Sequence, residues 1–261
     1  LKPNLVVAVQ PDGGATTHPE IAIAIIEYLK ARGYHNISIV ESAWVGDSTE
    51  RGFKVNGYYE IRDRYDVPLV DVKRDEYVTK KAGGITMEVS KTILECDFLI
   101  SLPVLKGHCQ TAMTCALKNM KGCLSDRSKR QFHSQGLHRP IAALNAVRSA
   151  DLVIVDSICG DLDFEEGGNT VETNRLYAAR DSVLSDAFGA SLIGFTEEDC
   201  RGARCRHHGP RAPRAHPAQR TERPTTSQAH RTGGLPQMPH RGAQCMLGLL
   251  RQPHPRPQAP R

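Results

Sequence analysis

The stretch Ile141-Ala-Ala-Leu-Asn-Ala-Val-Arg-Ser-Ala-Asp-Leu-Val-Ile-Val-Asp156 decides the fold class. Its first part, to Ser149, spaces apolar residues as a helix does, and after a short break Leu152-Val-Ile-Val155 is apolar without alternation between two aspartates. A strand with no polar face is covered on both sides, and a helix leading straight into such a strand is the unit of a parallel sheet. The same alternation extends outward. Asp97 to Leu102 reads as a second buried strand, preceded by a helix from Met87 to Glu95. Upstream, Asn4 to Gln10 reads as a strand, Thr17-His-Pro-Glu20 as an N-cap with proline just inside a helix to about Arg32, and Ile37 to Val40 as a short strand. A helix near Gly57 to Arg64 leads to a further strand candidate, Val67-Pro-Leu-Val70. Downstream, Asp181 and Asp186 open a helix to Gly194, with at least one aspartate complementing a helix N-terminus. The expected fold is α/β, a mainly parallel sheet with helices on both faces in three layers, without internal repeats.

For 261 residues at 39% apolar, one medium domain with a real core is expected. Residues 1–199 hold 22 Lys+Arg against 28 Asp+Glu, and this stretch is the expected α/β domain. Residues 200–261 hold twelve arginines, no lysine, ten prolines, six histidines and a single acid, Glu222, with no Ile, Val, Phe, Tyr or Trp. Such a composition builds no core, so 200–261 reads as a non-globular tail, either disordered or the out-of-frame translation of a GC-rich gene. Nucleic acid is not an expected partner, because the arginines are scattered and no aromatic is available to stack on bases. The opening at Leu1, inside what reads as a strand, points to sequence missing upstream. No run approaches the roughly 18 to 20 apolar residues of a spanning helix, and no basic-then-apolar leader is seen, so a cytoplasmic body without a membrane partner is expected.

Ligands bind beyond the carboxyl ends of parallel strands, so the segments after each strand carry the functional expectation. Four are polar and glycine-rich: Asp12 to His18, Glu41 to Thr49, Lys106-Gly-His-Cys109 and Ser157 to Gly168. The third is the densest. Lys106 and His108 follow Pro103, and the next helix adds Thr111, Thr114, Lys118, Asn119 and Lys121. Lysines there can hold phosphate or carboxylate as point charges, with threonines and helix amides completing an anion site. A solvated basic helix face is the competing reading. Thr16 and Thr17, next to Gly13-Gly14, form another candidate anion contact, although the loop has neither G-x-G-x-x-G nor a P-loop pattern.

His108, His133 and His138 make a candidate acid–base or metal set, with spacings that match no standard zinc pattern. In the acidic segment, Asp161 and Glu165 suit a hard cation or the orientation of a histidine, while Gly160, Gly167 and Gly168 allow close backbone approach; an acidic turn is the alternative. Cys96, Cys109, Cys115, Cys123 and Cys159 form no C-x-x-C pair and read mainly as small buried apolar residues.

Several blocks in order carry a family likeness: Lys2-Pro-Asn-Leu5, Thr16-Thr-His-Pro-Glu20, Asp97 through His108, Ala116-Leu-Lys-Asn-Met-Lys-Gly122, Phe132-His133, Gly136-Leu-His138, and Val155-Asp156 through Gly168. Together they resemble the family termed domain of unknown function 362 over nearly all of 1–199. The resemblance implies a domain without naming a reaction. It also implies an iron–sulfur association through appended cysteine motifs, which Cys200, Cys205 and Cys245 do not rebuild, so no cluster is expected on this chain as written. The cofactor and any metal stay open. A fainter similarity, a buried strand leading to a Lys/His-rich segment, is to lactate racemase-like proteins, which carry a nickel-bearing nucleotide tethered to a lysine and use histidines for proton or hydride transfer.

The expected function is a redox-linked enzyme or enzyme subunit, with room for a redox partner protein, that binds an anionic small molecule or cofactor. Lys106, Lys118 and Lys121 hold the anion, and His108 with His133 or His138 moves protons. The alternative is a non-catalytic iron–sulfur or metal-associated ligand-binding module.

Overall fold

The computed structural model describes residues 1–196, so the tail reading and Cys200, Cys205 and Cys245 lie outside the described residues. The strands are β1 (Lys2–Pro3), β2 (Ile39–Glu41), β3 (Leu69–Asp71), β4 (Tyr77–Ala82), β5 (Ile85–Ser90), β6 (Ile100–Leu102), β7 (Lys106–His108), β8 (Ala112–Thr114), β9 (Leu152–Asp161) and β10 (Thr170–Ala179). The helices are α1 (Pro19–Lys30), α2 (Thr49–Val55), α3 (Tyr58–Tyr65), α4 (Lys91–Glu95), α5 (Ala116–Asn119), α6 (Asp126–Ser134), α7 (His138–Val147) and α8 (Ser182–Leu192).

In the central sheet β1, β6 and β9 run parallel in that order, with Lys2 opposite Ser101 and Ile100 opposite Leu152, and β10 pairs antiparallel along β9. β2 and β3 form a parallel pair. The Leu1 amino group donates to Ser38 O (2.6 Å) and the Val40 N–H to Leu1 O (2.8 Å), the pattern of a parallel ladder, which sets that pair beside β1. The fold is thus the expected α/β arrangement around a mainly parallel sheet.

Helices cover both faces. Val40 joins Met87, Leu124, Phe132, Ile141 and Leu144 in a core under α6 and α7, while Val153 and Val155 join Leu105, Met113, Ala116 and Ala190 under α5 and α8. Ile39 and Ile154, one residue out of phase, turn the other way and are equally buried. Helix α1 buries Ile21, Ala22, Ile25 and Ile26 and packs with α3.

Three readings are corrected. The strand expected over Asn4 to Gln10 ends at Pro3, because side chains take over the backbone bonds a ladder would use: Asn4 N–H donates to Thr17 Oγ1 (2.8 Å), Leu5 N–H to Glu41 Oε2 (3.3 Å) and Ala8 N–H to Asp47 Oδ2 (2.9 Å). The helix expected from Met87 begins only at Lys91. Gly83 and Gly84, both at positive φ (54° and 79°), make a two-residue turn that pairs β4 with β5, and Met87 and Val89 then point inward on alternate positions. The cap of α1 is His18 and not Thr17, with Pro19 in the first turn as expected and no side-chain capping bond. Elsewhere, Asp181 caps α8 through Val183 N–H (2.7 Å) and Leu184 N–H (2.9 Å), whereas Asp186, inside α8, accepts Ala116 N–H (2.7 Å) and Leu117 N–H (3.2 Å) at the start of α5.

A buried polar knot ties the strand ends together. Lys2 Nζ donates to Glu41 Oε2 (2.8 Å), Asn119 Oδ1 (3.1 Å) and Pro3 O (3.0 Å), and Asn119 Nδ2 donates in turn to Ser101 Oγ (2.9 Å) and Lys2 O (3.3 Å). Removing one charge leaves the other uncompensated in the interior, so Lys2→Met is expected to cost about 3–5 kcal/mol in urea unfolding. Adding Glu41→Leu to Lys2→Met should recover part of that loss. Strictly additive costs would show that the two groups do not act as a pair.

Candidate functional site

A cavity of about 500 Å³ opens beyond the carboxyl ends of β1, β2 and β6. Its wall brings together Lys2 and Glu41 from the knot, Lys106, His108 and Thr114 from the β7–β8 hairpin, and Lys118, Asn119 and Lys121 from α5 and the turn after it. Helix α6 adds Lys129, Arg130 and His133, the segment after β2 adds Ser42, Trp44 and Val45, and the segment after β9 adds Glu165 and Glu166.

Local structure explains why these side chains converge. Hairpin pairing sets Lys106 opposite Thr114 and His108 opposite Ala112, so strand alternation puts Lys106, His108 and Thr114 on one face. On the other face a side chain at position 107 would collide with the Leu162 carbonyl, which is why glycine separates the lysine from the histidine. Lys129 and His133 are four apart on α6, so both reach the cavity, the lysine buried and the histidine at its exposed margin. Glu165 is carried by a loop whose backbone is gathered on one carboxylate: Asp161 accepts the N–H groups of Asp163 (2.8 Å), Phe164 (2.9 Å) and Asn169 (2.7 Å).

Both cavity histidines are held neutral. His108 Nδ1 accepts the N–H groups of Gln110 (3.0 Å) and Thr111 (3.2 Å), so the ring proton sits on Nε2 and points at Glu165 Oε1 (3.1 Å). Burial, and then Lys118, push its pKa down to about 4 against the raising effect of Glu165. For His133, Nδ1 meets Gln110 Oε1 (3.0 Å) and Nε2 faces Lys121 Nζ (2.8 Å); burial, then Lys121 and Lys118, again bring it down to about 4. Burial by itself would raise Glu165, but the hydrogen bond from His108 and the nearby Lys118 outweigh it and hold the carboxyl at about 2.

The groups whose charge changes near neutrality are the lysines. Burial, with Lys118 adding repulsion, lowers Lys106 to about 7, and burial lowers Lys118 to about 8. Lys121 falls to about 7 through burial and the charges of Lys118 and Lys129, and burial brings Lys129 to about 8. Lys106 Nζ still donates to Ala15 O (2.5 Å), and Lys129 Nζ to Ala43 O (2.7 Å). The Lys118 ammonium makes no hydrogen bond or ion pair among the described residues, and the buried Thr114 Oγ1 has no hydrogen-bond partner there.

Of the residues singled out from sequence, Lys106, His108, Thr114, Lys118, Asn119, Lys121, His133 and Glu165 line this cavity. The structure does not bring the others to it. His138 is exposed at the start of α7. Thr16 is buried and bonded to Val9 O (3.0 Å) and Asn56 Oδ1 (3.0 Å), and Thr17 donates to Leu102 O (2.7 Å). Asp161, Gly160, Gly167 and Gly168 serve the shape of the loop: Gly160 backs onto the Leu105 carbonyl, and Gly168 N–H donates to Gly13 O (3.3 Å). Lys2, Lys129 and Arg130 were not singled out as site residues, whereas Glu41 and Trp44 fall in the segment Glu41 to Thr49 that was marked out by its position after a strand, without a role for either side chain.

Among the described residues, one group offers three metal-ligating atoms within 4.8 Å of one another: His108, Cys109 and Glu165. The chemistry of that set does not suit a cation. The lone pair of His108 is committed to backbone N–H groups, and lysines adjoin it. No helix among the described residues is long and apolar enough to cross a membrane.

Residues 1–191 match the family described as Domain of unknown function (DUF362), and the chain belongs to that family. A curated relative, a thylakoid-associated protein of Synechocystis sp., is 28% identical over 174 residues, which are 64% of this chain and 50% of that protein; the chain thus spans about half the length of the relative. Among solved structures, the lactate racemase apoprotein of Thermoanaerobacterium thermosaccharolyticum aligns with a TM-score of 0.50 at 13% identity, over 74% of this chain and 48% of that one. At that identity the likeness is one of fold.

The lysine amines have a measurable signature. Their folded-state values lie below the ordinary 10.5, so between pH 7 and 9 the unfolded chain binds more protons than the native one and stability rises with pH. Lys121→Met should flatten that rise in urea midpoints recorded across the interval. An unchanged slope would mean that Lys121 carries its full charge throughout.

Proposed function

We propose that the chain binds a small, multiply anionic substrate or cofactor in this cavity, as an enzyme or the ligand-binding subunit of one. Charge balance carries the reading: five lysines and Arg130 line the cavity against Glu41, Glu165 and Glu166, and Lys2 already satisfies Glu41. A carboxylate or phosphate supplies the missing countercharge, restores full charge to amines that burial has partly discharged, and offers acceptors to Lys118 and to the Thr114 hydroxyl.

The protonation pattern supports a division of roles. Imidazoles held near pKa 4 are poor proton carriers at neutral pH, and His108 presents an N–H already engaged with Glu165. His108 is therefore a positioning residue that fixes Glu165, and Lys118 is the group that exchanges a proton with bound ligand. This departs from the expectation that the histidines move the proton, while keeping the Lys/His-rich segment as the site.

Thermal unfolding in phosphate, pyrophosphate or citrate, against chloride at equal ionic strength, tests the proposal. Saturable stabilisation is expected, weaker at pH 9 than at pH 7 because the amines discharge, with net proton uptake on binding near pH 8. Lys118→Met should weaken binding at least about tenfold, the scale of one lost charge-assisted contact. The proposal fails if no polyanion stabilises the protein beyond chloride.

A further inference from the structure

The cavity wall is not uniformly polar. Its apolar side chains are Val6, Trp44 and Val45, and they are neighbours, since Trp44 N–H donates to Val6 O (3.0 Å). A cationic basin thus has one apolar shelf. Trp44 is the single tryptophan of the chain and keeps 47% of its surface exposed there.

That indole is held in place. A side chain at position 46 would fall on the six-membered ring of Trp44, so the ring lies over the bare backbone of Gly46. The loop beneath it is braced from three sides. Lys73 Nζ donates to Trp44 O (3.0 Å) and Asp47 O (2.6 Å), and the Asp47 carboxylate accepts the N–H groups of Ala8 (2.9 Å) and Ser48 (2.7 Å). A single exposed tryptophan on a surface needs no explanation, but one seated on a braced glycine loop in the wall of a cationic cavity suits a preformed stacking platform.

We infer that the ligand carries a planar aromatic ring together with its negative charge, the ring stacking on Trp44 while the charge sits among the lysines. The inference rests on the anion-binding reading and narrows it to one chemical class. A cavity of about 500 Å³ accommodates a ring plus a charged group. The excess of cations in the cavity wall favours an electron-rich ring over a cationic one.

The test compares 1-naphthyl phosphate with cyclohexyl phosphate and inorganic phosphate, by calorimetry on the full chain and by the fluorescence of Trp44. The aromatic ester should bind at least about tenfold more tightly than the cyclohexyl ester and quench the emission, the scale expected for one base-like stacking contact. Trp44→Leu should erase the difference between the two esters, each affinity being taken relative to that of inorganic phosphate for the same variant, and Trp44→Phe should restore part of it. Gly46→Ala, which displaces the indole without removing it, should act like Trp44→Leu. Equal affinities for the two esters, or a difference that survives Trp44→Leu, overturn the inference and leave the anion site standing. Failure of all three phosphates to bind removes both.

Discussion

Everything at the carboxyl end of this sheet depends on burying one ammonium group, that of Lys2. In a parallel strand covered on both faces such a charge is tolerated only if it is fully met, and it is met by a carboxylate from the next strand, an amide from a short helix and a backbone carbonyl. Because those partners come from β2, α5 and β1 itself, and Asn119 passes the bonding on to Ser101 of β6, satisfying one cation fixes the relative positions of three strand ends and a helix. The floor of the cavity is the by-product.

The other lysines around that floor are treated differently. None has a carboxylate as close as Glu41 is to Lys2, and the fold tolerates them by letting their charge weaken instead of pairing it. The histidines complete this pattern. Backbone donors and a neighbouring ammonium face the ring nitrogens, which keeps both imidazoles neutral. Among the carboxylates of this region Glu165 is tethered to His108, and its loop hangs on Asp161.

Much of the fold was legible because it follows from local pattern. The segments Asp97 to Leu102 and Leu152 to Val155 read as buried strands and hold β6 and the start of β9, and the Lys106 to Lys121 segment stood out because cations gathered after a strand end. Where the reading failed, tertiary partners had replaced local ones. The apolar run after Pro3 looks like a strand, yet its amides bond to the side chains of Thr17, Glu41 and Asp47, which no spacing announces. The β5 sequence carries both a helical and an alternating reading, and the Gly83-Gly84 turn decides between them. Within the site, the protonation of His108 and His133 follows from which atoms face each nitrogen and was therefore invisible, as was the part played by Trp44, whose neighbour Val6 is remote in the chain.

The register Lys2↔Ser101 has a kinetic consequence. Strand β1 lies inside the sheet, but its partner β6 follows it by about a hundred residues, and β9 comes some fifty later again. Pairings of such long sequence separation form slowly, since the intervening loop must be closed before any contact rewards it. On the ribosome β1 emerges well before β6 and must wait, with its lysine still hydrated, until that partner is made. The carboxyl end of the sheet then takes shape only once β6 is made, and a chain stalled before residue 102 has β1 with β2 on one side and no partner on the other.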